Sequence, residues 1–247
     1  MNEYEIFTKK IPHLVGTGYA TGNELPIVRM DEEIQEDNRM SFVGINCCKD
    51  GLVAFADTKS TYIDELGNAH EEEGRLSEKV FHGKDFILVT HGLNRIKKGM
   101  LTNIPIENYI KENISQTSNA YEFFVKFNQD FCSYQSFKEC SYYFGIGGKD
   151  ESGWYVQMVE IKNGQVIFSQ KYYKTFYNDG ILFFKKFYCS NANRTVKESL
   201  DFTKNKLNMI MTEAKKVGTY IPVGFPFQFI SMSDEGFVMQ VIHGTTE

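Results

Sequence analysis

Among the side chains able to attack a substrate or hold a metal ion, the thiols come first. The chain carries five cysteines, Cys47, Cys48, Cys132, Cys140 and Cys189. A thiolate attacks readily, which makes Cys47 or Cys48 a candidate nucleophile, but both fall inside a run that reads as a β-hairpin, where a buried structural thiol is inert. Their odd number, without CxxC pairs or the Cys/His spacing of a zinc site, points to a reducing cytosol, so the expected localisation is cytoplasmic. His82 and His91 straddle a second predicted hairpin and could begin a metal site. No third ligand is spaced to complete one, so core or surface histidines are the simpler reading. No cofactor is expected.

The elements that must position these groups follow from the apolar pattern. Phe42-Val43-Gly44-Ile45 and Leu52-Val53-Ala54-Phe55-Ala56 flank Lys49-Asp50-Gly51, a hairpin signal in which Gly51 would accept the positive φ of the turn. Lys79-Val80-Phe81 and Phe86-Ile87-Leu88-Val89, joined at Gly83-Lys84-Asp85, make the second hairpin. Residues 64–78, with Glu71, Glu72 and Glu73 in a row, read as a solvent loop. Gly92 opens a stretch to Lys98 with helical character, and Ser118 is positioned to cap a helix carrying Tyr121, Phe124, Val125, Phe127 and Phe131. Strands are expected at Tyr142 to Ile146, Trp154 to Ile161 and Val166 to Gln170, separated by turns at Gly147-Gly148-Lys149-Asp150 and Asn163-Gly164. Thr195 and Glu198 form a capping box for a long helix to about Val217, and strands Phe225 to Met232 and Phe237 to Ile242 surround Asp234-Glu235-Gly236. The order is hairpin, hairpin, helices, strands, a helix pair that includes the long helix, hairpin. Runs of strands apart from runs of helices predict two sheets covered by helices rather than a doubly wound βαβ sheet.

Composition narrows the function classes. The chain has 247 residues, 42% hydrophobic and 24% charged, with 21 Phe and 14 Tyr to fill one sizeable core. A net charge of -5 lacks the basic footprint of a nucleic-acid partner, and the Lys204 to Lys216 stretch, interleaved with Asn, Met and Glu, reads as a solvated helix face. No run approaches the ~20 apolar residues that cross a bilayer, so no membrane partner is expected. Residues 1–39 hold eight acids against four bases, with Asp31, Glu32, Glu33, Glu36 and Asp37 close together, and read as a leader or irregular extension. Residues 40–247 form the domain.

The segment from Ser41 to Thr61, with Leu52 to Thr61 ending in Ala56-Asp57-Thr58-Lys59, resembles the opening of proteasome β-subunits and bacterial proteasome-like peptidases. The likeness continues through Lys79-Val80, Gly92, Gly145 to Asp150, the Thr195 helix and Gly224, over about residues 41–242. The resemblance implies an α+β fold, a four-layer αββα sandwich of two antiparallel sheets flanked by helices, of the N-terminal-nucleophile (Ntn) hydrolase type. It also implies catalytic residues. Ser41 matches the nucleophile, whose own α-amine, with a pKa near ~7.7–8.0, serves as base once it is the first residue. Lys79 matches the catalytic lysine, Asp57 the carboxylate that holds its ammonium, and Gly92 the backbone N–H donor to the oxyanion. His91, directly before Gly92, is not supplied by the family pattern.

Several positions depart from that pattern. Ser41 stands where the peptidases mostly have Thr, and Met40 where a processed precursor commonly has Gly. The late Asp-x-x-Ser-Gly is Tyr220-Ile221-Pro222-Val223-Gly224, and the Gly-Ser-Gly region is Asn178-Asp179-Gly180. Two functions follow as alternatives: an amide hydrolase acting on a peptide or protein, with Ser41 exposed by removal of the preceding residues, or an inactive proteasome-fold subunit that works in assembly or interaction. Met40-Ser41 is also a plausible translational start. The resemblance further implies a homo-oligomer or ring, with an ATPase as possible partner.

Overall fold

In β1 (Phe42–Cys47) and β2 (Gly51–Asp57) every residue is buried, so both faces of these strands are covered by other layers. The period of two sorts their side chains. Phe42, Val53 and Phe55 pack with Leu207, Ile210 and Met211 of α4 (Val196–Lys216), while Val43, Ile45, Leu52 and Ala54 pack with Ile87 and Val89 of a second sheet. That second sheet turns its other face, including Leu88, Phe144, Ile146 and Val159, toward α1 (Ile106–Asn113), α2 (Ala120–Phe131) and α3 (Gln135–Lys138). Three apolar interfaces between four layers make an αββα sandwich, the α+β architecture expected from the sequence.

The computed structural model describes residues 41–63, 69–93, 95–97, 103–180, 188, 192–216 and 223–243. The leader expected over residues 1–39 lies outside the described residues, as does any second member of the late helix pair. The first sheet has the order β13-β1-β2-β14-β15, with β13 at Phe176–Gly180, β14 at Phe227–Ser233 and β15 at Gly236–Ile242. The second has the order β11-β10-β9-β6-β5, formed by β5 (Val80–His82), β6 (Phe86–His91), β9 (Ser141–Asp150), β10 (Gly153–Lys162) and β11 (Gln165–Phe168), with β12 (Tyr172–Tyr173) also paired to β10. Every pairing among the described strands is antiparallel.

Several local expectations change. The acidic segment read as a loop contains β4 (Ala69–Leu76), which pairs with β3 (Lys59–Ile63) in a separate two-stranded ribbon; backbone pairing satisfies it without an apolar face. The stretch after Gly92 is not helical where described: β7 (Arg95–Lys97) pairs with β8 (Asn103–Pro105), and the wholly buried Ile96 anchors it under the helices. The cap of α2 is Asn119, whose side chain accepts the Glu122 N–H at 2.9 Å, rather than Ser118. Gly147 to Asp150 belong to β9, and the turn is Glu151-Ser152.

The glycines of β9 make room for the opposite sheet. A Cβ on Gly145 would stand 2.3 Å from the Tyr177 ring, and one on Gly147 would stand 2.8 Å from Leu52. Gly51 is likewise spatial: its φ is not positive, but a Cβ there would meet the Met232 carbonyl oxygen of β14 at 2.0 Å. The predicted Asn163-Gly164 turn does use positive φ, 54° and 70°. The capping box also forms, with Glu198 N–H on Thr195 Oγ1 at 3.3 Å and Thr195 N–H on Glu198 Oε2 at 2.8 Å. On its buried side α4 is keyed to β1 by Asn46, whose side-chain amide donates to Tyr188 Oη at 2.7 Å and Thr203 Oγ1 at 3.0 Å.

Candidate active site

β1 begins, and β2 and β13 end, at the same edge of the sandwich, because both neighbours run antiparallel to β1. At that edge the buried layer between the sheets turns from apolar to polar. Asp57, the last residue of β2, is 0% exposed, and Lys79, just before β5, has a side chain only 8% exposed. Asp57 divides its oxygens: Oδ1 accepts the backbone N–H of Phe42 at 2.8 Å, and Oδ2 accepts Lys79 Nζ at 2.9 Å. Lys79 Nζ also donates to the Lys59 carbonyl at 2.9 Å, and the Lys79 N–H donates to Gln228 Oε1 at 3.2 Å. The ammonium is thus fixed next to the first residues of β1. Burial pushes the Asp57 carboxyl above the usual carboxylate range, opposed by the Lys79 ammonium and the Phe42 N–H.

Ser41 immediately precedes Phe42 and is 7% exposed. Gly92 follows the last residue of β6 with a φ of 80°, the left-handed region in which a side chain would be strained, and is exposed. It is tied to Lys79 through β6, where Thr90 donates its N–H to the Lys79 carbonyl at 3.0 Å. Asp57 and Lys79 therefore touch, Ser41 is the residue before the Phe42 whose N–H Asp57 holds, and Gly92 lies two residues past the Thr90 that pairs with Lys79.

A second polar group, which sequence reasoning missed apart from flagging His91, lies on the β13 side of β1. His91 Nε2 is 2.8 Å from the Tyr177 hydroxyl and 3.5 Å from Asp179 Oδ2, and its ring stacks on Tyr143 at 5.8 Å between centroids. Tyr143 is opposite His91 on one side and opposite Glu160 on the other, so a row crosses three strands of the second sheet. His91, Tyr177 and Asp179 are all under 9% exposed. Burial, then the Asp179 charge, pushes the Tyr177 hydroxyl well above its ordinary range, so it stays protonated. The signal available in sequence was the alternation of β13 and β10: Tyr177 and Asp179 share a face, as do Trp154, Val156, Met158 and Glu160, and an acid closing each inward series marks a polar end.

The other candidates recede. Burial pushes the thiols of Cys47 and Cys48 up to about 11 and about 12, which leaves them protonated and unreactive at neutral pH. His82 is exposed and stacks on Phe237, and among the described residues no three His, Cys, Asp or Glu converge as metal ligands. No helix among them is long and apolar enough to cross a membrane.

No family model matches the chain, and no curated protein matches it. Among solved structures it is similar to the Anbu (Gly-1) mutant from Hyphomicrobium sp. strain MC1, with 14% identity, a TM-score of 0.51, and coverage of 84% of this chain and 90% of that one. Anbu is a proteasome-like bacterial Ntn-hydrolase subunit. At this identity the likeness speaks for architecture: the chain is an α+β protein with the proteasome-like Ntn-hydrolase fold.

Proposed function

We propose that this chain is a proteasome-like Ntn amide hydrolase whose nucleophile is the Ser41 hydroxyl, exposed by removal of the preceding residues and acting on a peptide or protein. The observation that carries the reading is the hydrogen-bonded line from Lys79 Nζ through Asp57 to the Phe42 N–H, which fixes a cation beside the residue following the nucleophile. With Ser41 first in the chain, its α-amine takes the hydroxyl proton. The Lys79 charge favours the neutral amine and the developing alkoxide. The Gly92 N–H receives the oxyanion, a donor worth about 2.7–4 kcal/mol in rate. Intact mass spectrometry tests the reading: a species beginning at Ser41 that adds one equivalent of an Ntn-directed electrophile is expected, and a stable, unlabelled chain still beginning at Met1 would overturn it.

The rival, an inactive subunit of the same fold that serves assembly or interaction, draws support from the burial of Ser41 in the chain that still carries residues 1–40. Both readings include self-association, and an ATPase partner remains part of the hydrolase reading. The edge strand β15 exposes Val238, Met239 and Val241 at 55%, 52% and 48%, an apolar edge that a subunit contact would cover. Light scattering on the eluted protein is expected to give a multiple of the chain's own mass, 28.5 kDa if uncut and correspondingly less if it begins at Ser41, and a clean monomer at micromolar concentration would remove the idea.

A further inference from the structure

This inference rests on the reading of Lys79 as the cation that serves a Ser41 nucleophile. A lysine carries its point charge at the end of a flexible four-carbon stem, so the place of the ammonium depends on how both ends of that stem are held. The far end is fixed by Asp57 Oδ2 and by the Lys59 carbonyl, each 2.9 Å from Nζ. The near end is the backbone just ahead of β5, which is the last strand in the order of the second sheet. An edge strand leaves main-chain donors without a neighbouring strand to receive them. The Lys79 carbonyl joins the ladder by accepting the Thr90 N–H of β6 at 3.0 Å, but the N–H groups of Lys79 and of the residue before it go to side chains.

Those side chains come from two different layers. The Lys79 N–H donates to Gln228 Oε1 of β14 at 3.2 Å. Gln228 is opposite Ala56 in the register that sets Phe227 opposite Asp57, so adjacent strands of the first sheet hold the backbone and the ammonium of the same lysine. The period of two puts Gln228 on the face of Ile230 and Met232, which pack between the sheets, and turns Phe227 and Phe229 toward α4. From the other side the Glu78 N–H donates to Glu107 Oε2 of α1 at 2.9 Å. α1 grips the same short segment twice more, with Glu107 Oε1 3.5 Å from Arg75 Nη2 and Lys111 Nζ 2.6 Å from Glu78 Oε2. Two successive backbone donors are thus held by side chains of the first sheet and of the helical layer.

We infer that Gln228 and Glu107 are positioning residues for Lys79, setting from opposite layers where its ammonium stands during attack by Ser41. Neither needs to touch substrate. With one grip released, the Asp57–Lys79 pair can still form, but the stem approaches it from a shifted backbone and the charge settles away from the reacting atoms.

The test uses purified full-length chain that begins at Ser41 after its own cleavage or after cutting there by an added protease. The rate of Ser41 labelling by an Ntn-directed electrophile is followed by intact mass, and the Lys79 ammonium is followed by nitrogen-15 NMR, its resonance identified by its loss in Lys79→Ala. Gln228→Met and Glu107→Met keep the side-chain length but remove the acceptor. Each is expected to label about 10- to 10²-fold more slowly, the scale of a small misplacement in a catalytic centre, and to shift the Lys79 ammonium resonance. Glu107→Gln keeps an acceptor for the Glu78 N–H and is expected to recover the rate lost in Glu107→Met. A merely structural role would lower the melting temperature and leave the ammonium signal of the folded molecules in place. Labelling of Gln228→Met at the wild-type rate would overturn the inference, as would slowed labelling with an unmoved Lys79 resonance. If Gln228→Met does not fold, the Glu107 pair decides: equal rates for Glu107→Met and Glu107→Gln overturn the inference. In all these cases wild type still labels and the hydrolase reading stands. Wild type that never labels, even after trimming, removes that reading and this inference with it.

Discussion

Lys79→Ala is expected to reduce both amide turnover and self-cleavage before Ser41 by at least about 10²-fold, the scale on which loss of one charge-stabilising group in a catalytic centre is felt. The reason is placement: Lys79 Nζ is the cation that the 2.9 Å contact with Asp57 holds at the start of β1. Lys84 supplies the comparison, since it is a lysine of the same hairpin but lies exposed in its turn. Lys84→Ala is expected to be silent in rate and within ~0.5 kcal/mol in stability. Electrophile labelling and intact mass measure both outcomes. A Lys79→Ala chain that is processed and labelled like wild type would remove the catalytic assignment and leave the inactive-subunit reading.

The same substitution is expected to lower stability by about 3–5 kcal/mol, because it leaves a wholly buried carboxylate without its cation. At about 2–4 °C per kcal/mol for a chain of this size, the melting temperature should fall by roughly 6–20 °C. The double variant Asp57→Asn, Lys79→Met should recover most of that loss, since Asn keeps an acceptor for the Phe42 N–H and Met fills the lysine stem without leaving a lone charge. It should stay inactive, which separates the charge at the site from the integrity of the fold. The pH dependence has a definite sign. Burial already raises the Asp57 carboxyl, and removing the Lys79 ammonium removes the main opposing influence. A carboxyl raised in the folded state favours folding below its unfolded pKa, and that contribution is lost as pH rises through the folded pKa. The gap between wild type and Lys79→Ala should therefore narrow as pH falls from 7 toward 4. Thermal melts across that range check it, and a gap that widens on acidification would show that Asp57 is not the group left unpaired.

Much of the scaffold was legible because it depends on neighbours in the chain. The β1–β2 and β5–β6 hairpins, the Asn163-Gly164 turn and the Thr195–Glu198 capping box are set by turn chemistry and by hydrogen bonds spanning a few residues. The apolar runs around them read as strands, and strands grouped apart from helices predicted two sheets covered by helices. The strand endings were less legible where a residue type has two uses. Gly145, Gly147 and Gly51 look like turn residues in a linear reading, yet they are glycines because Tyr177, Leu52 and the Met232 carbonyl occupy the space a Cβ would take. Those neighbours come from other strands, 32, 95 and 181 positions away by the numbering.

The candidate site divides in the same way. Ser41, Asp57, Lys79 and Gly92 could be named from resemblance to a linear pattern, because each sits at a fixed offset from a hairpin that the local sequence specifies. Why they act together is tertiary: Asp57 reaches Lys79 only after β2 and β5, from different sheets, meet at one edge, and burial there gives the ion pair its strength. His91, Tyr177 and Asp179 had no such linear signature. His91 and Tyr177, 86 positions apart in the chain, come together because β13 pairs with β1 and the second sheet packs across them, and only that closure turns an isolated histidine into a buried, acid-paired imidazole. Short-range hydrogen bonding thus determined the strands and turns, whereas long-range sheet packing decided which polar side chains share one water-poor edge.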